Sequence, residues 1–425
     1  MSKPKASKRS AHLSAVETPS TVQPDSNDSA AARRFDRYAV RSKLSAPAPE
    51  RFGGWVSSLD RVRRCGRFPV GNLVAVRVTD HGDNGGKVAG LAGLEMCGSQ
   101  ACPVCVAKVG AKRCDELTRA LTHHTTTGGG SAVFVTLTMR HNRHQALAAN
   151  WNRLSEAWKA ATNGAGWRLD REQFGVLGYQ RTTEITHGAN GWHIHIHAVL
   201  FLSETNPDPA LVSALGHRMF GRWRKKLRQL GMNAPIADRG GLDIRLVTNT
   251  EDLGGYLAKF GTEVEAASSA ASEARKVALE ATRSDMKKGK AKTSRTVWQI
   301  LGDFFATGDL SDLRLWQEFE QAQVGRRRTS WTRVPKENGD AWAAVLAARG
   351  EVLEDEEAAN EDHGGEDIAF IDAEDWKLLV MCDGEAVPRL LRAAEVAGYR
   401  GIRDVLSEFG LSCWRFRPVE QENSA

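Results

Sequence analysis

The segment Gly191-Trp192-His193-Ile194-His195-Ile196-His197 constrains this chain more than any other part of the sequence. Successive side chains of a β-strand point to opposite faces, so the three histidines share one face and the two isoleucines share the other. Adjacent imidazoles make a poor apolar core because each needs a polar partner, whereas neutral imidazole is a common metal ligand. The pattern predicts a strand that presents His193, His195 and His197 to one divalent ion.

A second strand is predicted at 174–186, just before the histidine strand. The two are separated by His187-Gly188-Ala189-Asn190-Gly191, which is typical of a β-hairpin. If the loop runs from Gly188 to Gly191, Glu184 lies directly opposite His195 on the same face. A slip of one residue would turn it to the other face. A carboxylate beside imidazoles favours a hard ion such as Mg²⁺ or Mn²⁺.

The flanking segments predict the rest of this domain. Strands are expected at 133–138 and 242–247, and amphipathic helices at 145–162 and 208–230, with a last helix opening at Thr250. The order β-α-β-β-α-β is that of a ferredoxin-like fold. We therefore expect an α+β domain whose antiparallel sheet has helices on one face and an open face for binding.

Tyrosine is scarce in this chain, with four residues in all, and Tyr256 is placed after the last predicted strand. On a helix, Lys259 and Asp252 would lie on the same side as this phenol. A nearby cation favours phenolate, and a carboxylate can relay a proton. A lone Tyr-x-x-Lys is more often part of an ordinary helix surface, but beside a metal-binding sheet it predicts a nucleophile.

Four of the seven cysteines form a separate pattern, with Cys97, Cys102 and Cys105 close together and Cys65 upstream. Thiols from two turns suit a tetrahedral structural zinc ion. The alternative is free cysteines in a reducing cytosol, since an odd and low number argues against a disulfide scaffold.

Charge is distributed unevenly. Nine carboxylates and no Lys or Arg lie in 351–367, and without them the net charge of +6 becomes +15. A basic body with a separate acidic segment is typical of nucleic-acid binding, although a basic soluble enzyme would share it. No apolar run reaches the roughly 18 residues of a membrane helix, and no secretory leader is evident. The predicted location is the cytoplasm, with no membrane partner.

Composition divides the chain into seven regions. They are a disordered tail (1–50), a Cys-rich element with a helix (60–127), the histidine-bearing core (128–262), a charged linker (263–293), a helical extension for DNA binding (294–345), an acidic linker (346–367) and a C-terminal helical piece (368–425). Within the extension, Arg326 to Arg328 with Trp331 predict either a phosphate clamp with a stacking platform or a solvated basic face.

The histidine strand, the Tyr-x-x-Lys and Phe134-Val135-Thr136-Leu137-Thr138 ahead of His141 together resemble the HUH endonucleases. The closer resemblance is to the Rep initiators of rolling-circle plasmids in bacteria, in their single-tyrosine branch, and it spans about 60–335. It implies a metal-dependent DNA nickase and strand transferase. A tyrosine attacks the scissile phosphate, leaving a 5′-phosphotyrosine and a free 3′-OH.

The resemblance also implies residue roles. His195 and His197 are the paired metal ligands, His193 is the histidine that often precedes them, and Tyr256 is the nucleophile. Asp252 matches an acid that helps water to end the replication round. Family members often have Glu there, and Glu251 is adjacent, so the identity of the acid stays open. The family carries Cys-x-x-Cys elements in the same region, which favours zinc at the four cysteines.

The implied partners are plasmid origin DNA, single-stranded or as a hairpin, and the host helicase and replication machinery, because no Walker-type loop is found in the sequence. Two alternatives remain. A relaxase or transposase of the same superfamily would share the chemistry, and the tyrosine's position after the histidines argues against a relaxase. A non-catalytic zinc-dependent DNA-binding protein would explain the cysteines and the charge only.

Overall fold

The computed structural model describes residues 26–45, 54–80, 86–247, 294–334, 339–351 and 364–414, with residues 278, 354, 355 and 359. The strands in these residues are β1 (Leu73–Asp80), β2 (Lys87–Ala92), β3 (Ser131–Thr138), β4 (Val176–Gly188), β5 (Gly191–Leu202), β6 (Leu242–Leu246), β7 (Arg295–Thr296), β8 (Thr329–Trp331) and β9 (Glu366–Asp372). The α-helices are α1 (Ser26–Ser45), α2 (Asp60–Arg64), α3 (Pro103–Thr126), α4 (Leu147–Ala161), α5 (Gly164–Gln173), α6 (Pro209–Gln229), α7 (Val297–Thr307), α8 (Leu310–Ala322), α9 (Asp340–Ala348), α10 (Ala373–Cys382) and α11 (Ala386–Ser407).

The central sheet has the strand order β6-β3-β5-β4-β7, and β8 also pairs with β4. Strands β3 to β6, joined through α4 and α6, follow the predicted β-α-β-β-α-β order, and every described pairing between them is antiparallel. The predicted α+β fold class is therefore confirmed. The β4–β5 hairpin closes with Gly188 opposite Gly191. Gly191 has φ +85°, and a Cβ there would lie 2.8 Å from the Arg143 backbone, so the turn requires glycine.

One face of the sheet packs against α4 and α6. Ile194 and Ile196, which alternate with the histidines, are fully buried there, as is Trp223 of α6. Trp151 and Leu154 of α4 belong to the same core. Each such side chain contributes about 1.5–3 kcal/mol of burial free energy, and this burial fixes which face of β5 carries the histidines.

The other face is covered at one end by α3 and α9, which the sequence did not predict. Phe134 and Phe201 pack there with Leu117 of α3 and Trp342 of α9. Gly178 allows this contact, because a Cβ there would lie 2.2 Å from the Trp342 ring. The part of this face that can meet a ligand is therefore its histidine end.

The expected disordered tail over 1–50 is wrong for residues 26–45, which form α1. Tyr38 and Leu44 are buried, at 7% and 0% exposure. The helix packs on α3 and α11. Tyr38 and Leu44 are buried against elements that are distant in sequence, so the composition of the segment alone predicted disorder.

The expected boundaries near the C-terminus also need correction. Strand β9 pairs with β1, giving a three-stranded sheet in the order β2-β1-β9. Asp367, assigned to the acidic linker, forms a two-pronged ion pair with Arg77 at 2.6 and 2.9 Å. The C-terminal piece is therefore built onto the Cys-rich element, and α9 extends into the region expected as linker. The linker at 263–293 lies outside the described residues, apart from residue 278.

The extension at 294–345 is helical as expected, but β7 and β8 also join it to the edge of β4. Helix α7 begins at a capping box formed by Thr296 and Gln299. Glu318 of α8 accepts hydrogen bonds from the Leu147 backbone N–H and the Trp192 indole, both at 2.7 Å. The extension thus fixes the hairpin end of the sheet.

In the described part of the chain, no helix has the length and apolar character needed to cross a bilayer.

Candidate metal centre and cysteine cluster

The register of the β4–β5 hairpin brings a carboxylate and two imidazoles together. Glu184 pairs with His195, as the hairpin loop predicted. Oε2 of Glu184 lies 2.7 Å from Nε2 of His197 and 3.4 Å from Nε2 of His195. The two imidazole Nε2 atoms are 3.1 Å apart. Glu184 and His197 are buried, so these three groups form a compact, largely desolvated donor set.

A hydroxyl group on β3 orients one of these imidazoles. Oγ1 of Thr136 lies 3.0 Å from Nδ1 of His197, and the two residues are paired in register. When Nδ1–H donates to this oxygen, the lone pair of Nε2 faces Glu184 and His195. The ring of Phe134 packs on the His197 imidazole at 5.3 Å between centroids and limits its rotation.

The donor set fits a divalent ion. For metal–ligand bonds of about 2.1 Å, neighbouring ligands of an octahedral ion stand about 3 Å apart, and the separations in the group are 2.7, 3.1 and 3.4 Å. Two nitrogens and one carboxylate oxygen on one side of an ion leave its other positions free for water or phosphate.

His193, predicted as a further ligand, is placed beside this group but not within it. Its ring is 5.0 Å from that of His195, and the described residues that converge within 4.8 Å are Glu184, His195 and His197. On its other side, His193 contacts the ring of His141 at 5.2 Å.

His141 follows the Phe134 to Thr138 motif in the sequence, and the structure places it in this row of imidazoles. Neither of its ring nitrogens has a hydrogen-bond partner among the described residues, and both are buried. Burial, with the nearby His187, lowers the pKa of His141. A lone histidine after a strand gives no signal of such a position, because the contact depends on how the loop after β3 folds back.

The predicted nucleophile and its helpers, Tyr256, Lys259 and Asp252, lie outside the described residues, as does Glu251. Strand β6, which precedes them, ends at Leu246 on the far side of β3 from the histidine strand.

The four predicted cysteine ligands do come together. Cys65, Cys97, Cys102 and Cys105 are all buried, and their sulfurs lie within 4.8 Å of one another. The described separations are 3.4 to 3.6 Å, close to the roughly 3.8 Å between sulfurs on a tetrahedral ion with bonds of 2.3 Å. Hydrogen bonds from the Cys102 and Cys105 thiols hold the pKa of Cys65 well below its ordinary value.

A buried arginine accompanies this cluster and was missed in the sequence. Arg41 of α1 is 5% exposed, and its guanidinium carbon lies 4.7 Å from the centroid of the Tyr38 ring. Burial would lower the pKa of Arg41, but the neighbouring Cys65, Tyr38 and other thiols raise it. Gly66 gives it room, because a Cβ there would lie 2.1 Å from the Arg41 guanidinium. A cation in this position would offset the negative charge of the thiolates if they held a metal ion.

The basic run with Trp331 is mostly occupied within the protein. Arg326 lies over the Trp151 ring, Arg327 pairs with Glu354 at 2.6 Å, and Arg328 donates to the Thr183 carbonyl at 3.1 Å. Trp331 packs against Phe201 and Trp342 in the core under α9. These contacts favour a structural role over the predicted clamp and stacking platform.

Two comparisons with known proteins show which proteins the chain is similar to. Residues 88–206 match the model of a family described as "Replication protein". This segment holds three of the clustered cysteines, strand β3 and the whole β4–β5 hairpin. Over this segment the chain is therefore similar to replication proteins, which supports the resemblance to plasmid replication initiators drawn from the motifs.

One relative is similar to the chain over a longer stretch. The chain is 27% identical over 398 residues to "Protein rep" of Streptomyces lividans, and this alignment covers 72% of this chain and 84% of that protein. No solved structure gives a significant match.

Proposed function

We propose that this protein is a rolling-circle plasmid replication initiator that nicks one strand of origin DNA and joins itself to the 5′ end. The observation that carries the proposal is the convergence of Glu184, His195 and His197 on one face of an antiparallel sheet, within a chain similar to replication proteins. A bound divalent ion such as Mg²⁺ or Mn²⁺ would polarise the scissile phosphate and offset its developing charge.

The protein's own residues would do the rest. The Tyr256 oxygen attacks phosphorus, the bond from phosphorus to the 3′ oxygen breaks, and that oxygen takes up a proton as the phenol loses one. Phenols have a pKa of about 10, so the nucleophile needs a nearby positive charge, and Lys259 is the nearest cation in sequence. Asp252, or Glu251 beside it, would activate water in the terminating step.

A structural zinc ion at Cys65, Cys97, Cys102 and Cys105 belongs to the same proposal. The cluster lies at the start of α3, and α3 packs on the sheet face that carries the histidines. Zinc binding there would stabilise the frame that positions the metal centre.

The test uses a labelled single-stranded oligonucleotide from the plasmid origin and denaturing electrophoresis. Wild-type protein with Mn²⁺ should give a covalent adduct, and Tyr256→Phe should bind the oligonucleotide equally well but give none. Tyr179→Phe is the matched control, because Tyr179 contacts the Trp158 and Trp167 rings. That variant should still form the adduct. Adduct formation by Tyr256→Phe would refute the assignment of the nucleophile.

The two alternatives predict different outcomes in the same assay. A non-catalytic zinc-dependent DNA-binding protein would bind the origin and form no adduct with wild-type protein. A relaxase or transposase would form the adduct, but on transfer-origin or transposon-end DNA rather than on the replication origin.

A further inference from the structure

A cleft of about 270 Å³ opens beside the end of β3. The residues that matter to its chemistry are Met139, Arg140, Pro235, Ile236 and Arg239, with Gly241 in its wall. Nothing in the proposed chemistry of the metal centre uses these residues.

Its place in the fold connects the cleft to the metal centre. Thr138, the last residue of β3, also lines the cleft and is paired with His195. The cleft therefore begins at the end of β3, the strand that lies beside the proposed metal ligand His195. A DNA strand whose phosphate reached Glu184, His195 and His197 would have a neighbouring nucleotide within reach of it.

The wall of the cleft is held by backbone contacts. The Gly241 N–H donates to the Ile236 carbonyl at 3.0 Å, and the Thr138 N–H donates to the Gly241 carbonyl at 3.0 Å. A Cβ on Gly241 would lie 2.5 Å from the Ile236 carbonyl oxygen, so this close turn requires glycine. The cleft is thus built into the fold before any ligand binds.

The lining combines apolar surface with unpaired positive charge. Met139 and Pro235 are buried, while Ile236 is 40% exposed. Arg140 and Arg239 are exposed, and neither has an ion-pair partner among the residues that the structure describes. By contrast, Arg218 and Arg222 on α6 are both bound to Asp170.

This chemistry selects the class of ligand. Two exposed guanidinium groups that have no ion-pair partner among the described residues lie here beside an apolar surface. Together they complement a base that carries phosphates on either side. The volume lies just below the roughly 300–1,000 Å³ of pockets for drug-sized ligands, which suits one nucleotide rather than a duplex. We propose that the cleft binds one nucleotide of single-stranded DNA next to the scissile phosphate. Its base packs on the exposed Ile236 side chain, and its phosphates contact Arg140 and Arg239.

This inference rests on the proposed function, and its test separates the two. Binding is measured without divalent metal, using fluorescent (dT)20 and an abasic strand of the same length, over a range of salt concentrations. Each lost phosphate contact reduces the slope of log K against log salt by about 0.7 for single strands. Arg140→Gln/Arg239→Gln should therefore lower the slope by about 1.4 for both probes.

The matched control removes the same charge elsewhere. Arg168 of α5 and Arg400 of α11 are also exposed, and Arg168→Gln/Arg400→Gln should keep the wild-type slope. Ile236→Ala should weaken (dT)20 binding about fivefold, since burial of its exposed methyl groups on the base is lost, and leave the abasic strand unaffected. Circular dichroism confirms folding of each variant.

The outcomes are distinguishable. If the wild-type protein forms no adduct with the origin oligonucleotide, the proposed function fails and the inference fails with it. If it forms the adduct but binds neither of these two strands, the proposed function stands and the nucleotide site is refuted. If the wild-type protein binds both, but the cleft arginine pair behaves like the control pair, the proposed function stands and the nucleotide site is refuted. An equal effect of Ile236→Ala on both probes would refute the contact with the base.

Discussion

The hydroxyl group of Thr136 gives a test of the metal centre that leaves all three donor groups in place. Thr136→Val keeps the side-chain shape but removes the oxygen that lies 3.0 Å from Nδ1 of His197. The imidazole then loses the contact that selects its tautomer, and a buried ring N–H has no acceptor. Losing such an outer contact typically weakens metal binding 10- to 100-fold, which corresponds to about 1.4–2.7 kcal/mol.

The register of the β4–β5 pair provides a matched control for this substitution. Thr182 pairs with His197 from the opposite side, on β4, but its hydroxyl contacts Gln180 and Thr329 instead of the imidazole. Thr182→Val should therefore cost stability without changing metal affinity. Titration calorimetry with Mn²⁺ measures the affinity, and thermal unfolding measures the stability. Equal dissociation constants for Thr136→Val and Thr182→Val would refute the role of Thr136 in positioning His197.

Two further predictions concern the zinc-type cluster and a buried histidine. Cys102→Ser should lose stoichiometric zinc, measured by elemental analysis, and unfold at a lower temperature, because structural zinc contributes on the order of 10 kcal/mol in small domains. Cys114→Ser, also at a buried cysteine of α3 but outside the cluster, should keep the metal. Burial lowers the pKa of His124, whereas the unfolded chain has the ordinary value of about 6.5, so stability should fall as pH falls below about 6.5. Urea midpoints above and below that pH should differ less for His124→Gln than for the wild type, and an equal loss in both would contradict this assignment.

The sequence by itself determined the histidine hairpin. Alternation along 191–197 decided which residues share a face, and a loop from Gly188 to Gly191 predicted the pairing of Glu184 with His195, because both rules act over a few neighbouring residues. The close spacing of Cys97, Cys102 and Cys105 likewise made a shared ion a local prediction. The assignment of Tyr256 rests on the sequence alone.

Only the tertiary structure decided which distant segments support these sites. Strand β9 pairs with β1 across nearly 300 residues, and Arg41 reaches the cysteines from a helix whose composition resembles a disordered tail. The cleft at the end of β3 brings together Arg140 and Arg239, which are far apart in the sequence and share no pattern there. Hydrophobic periodicity predicts which face of a helix or strand is buried, because it compares residues that are close in sequence. These contacts instead form between segments that are far apart in sequence. For that reason the sequence predicted the strands of the candidate metal centre and helices α4 and α6, but not helices α3 and α9 on the histidine face.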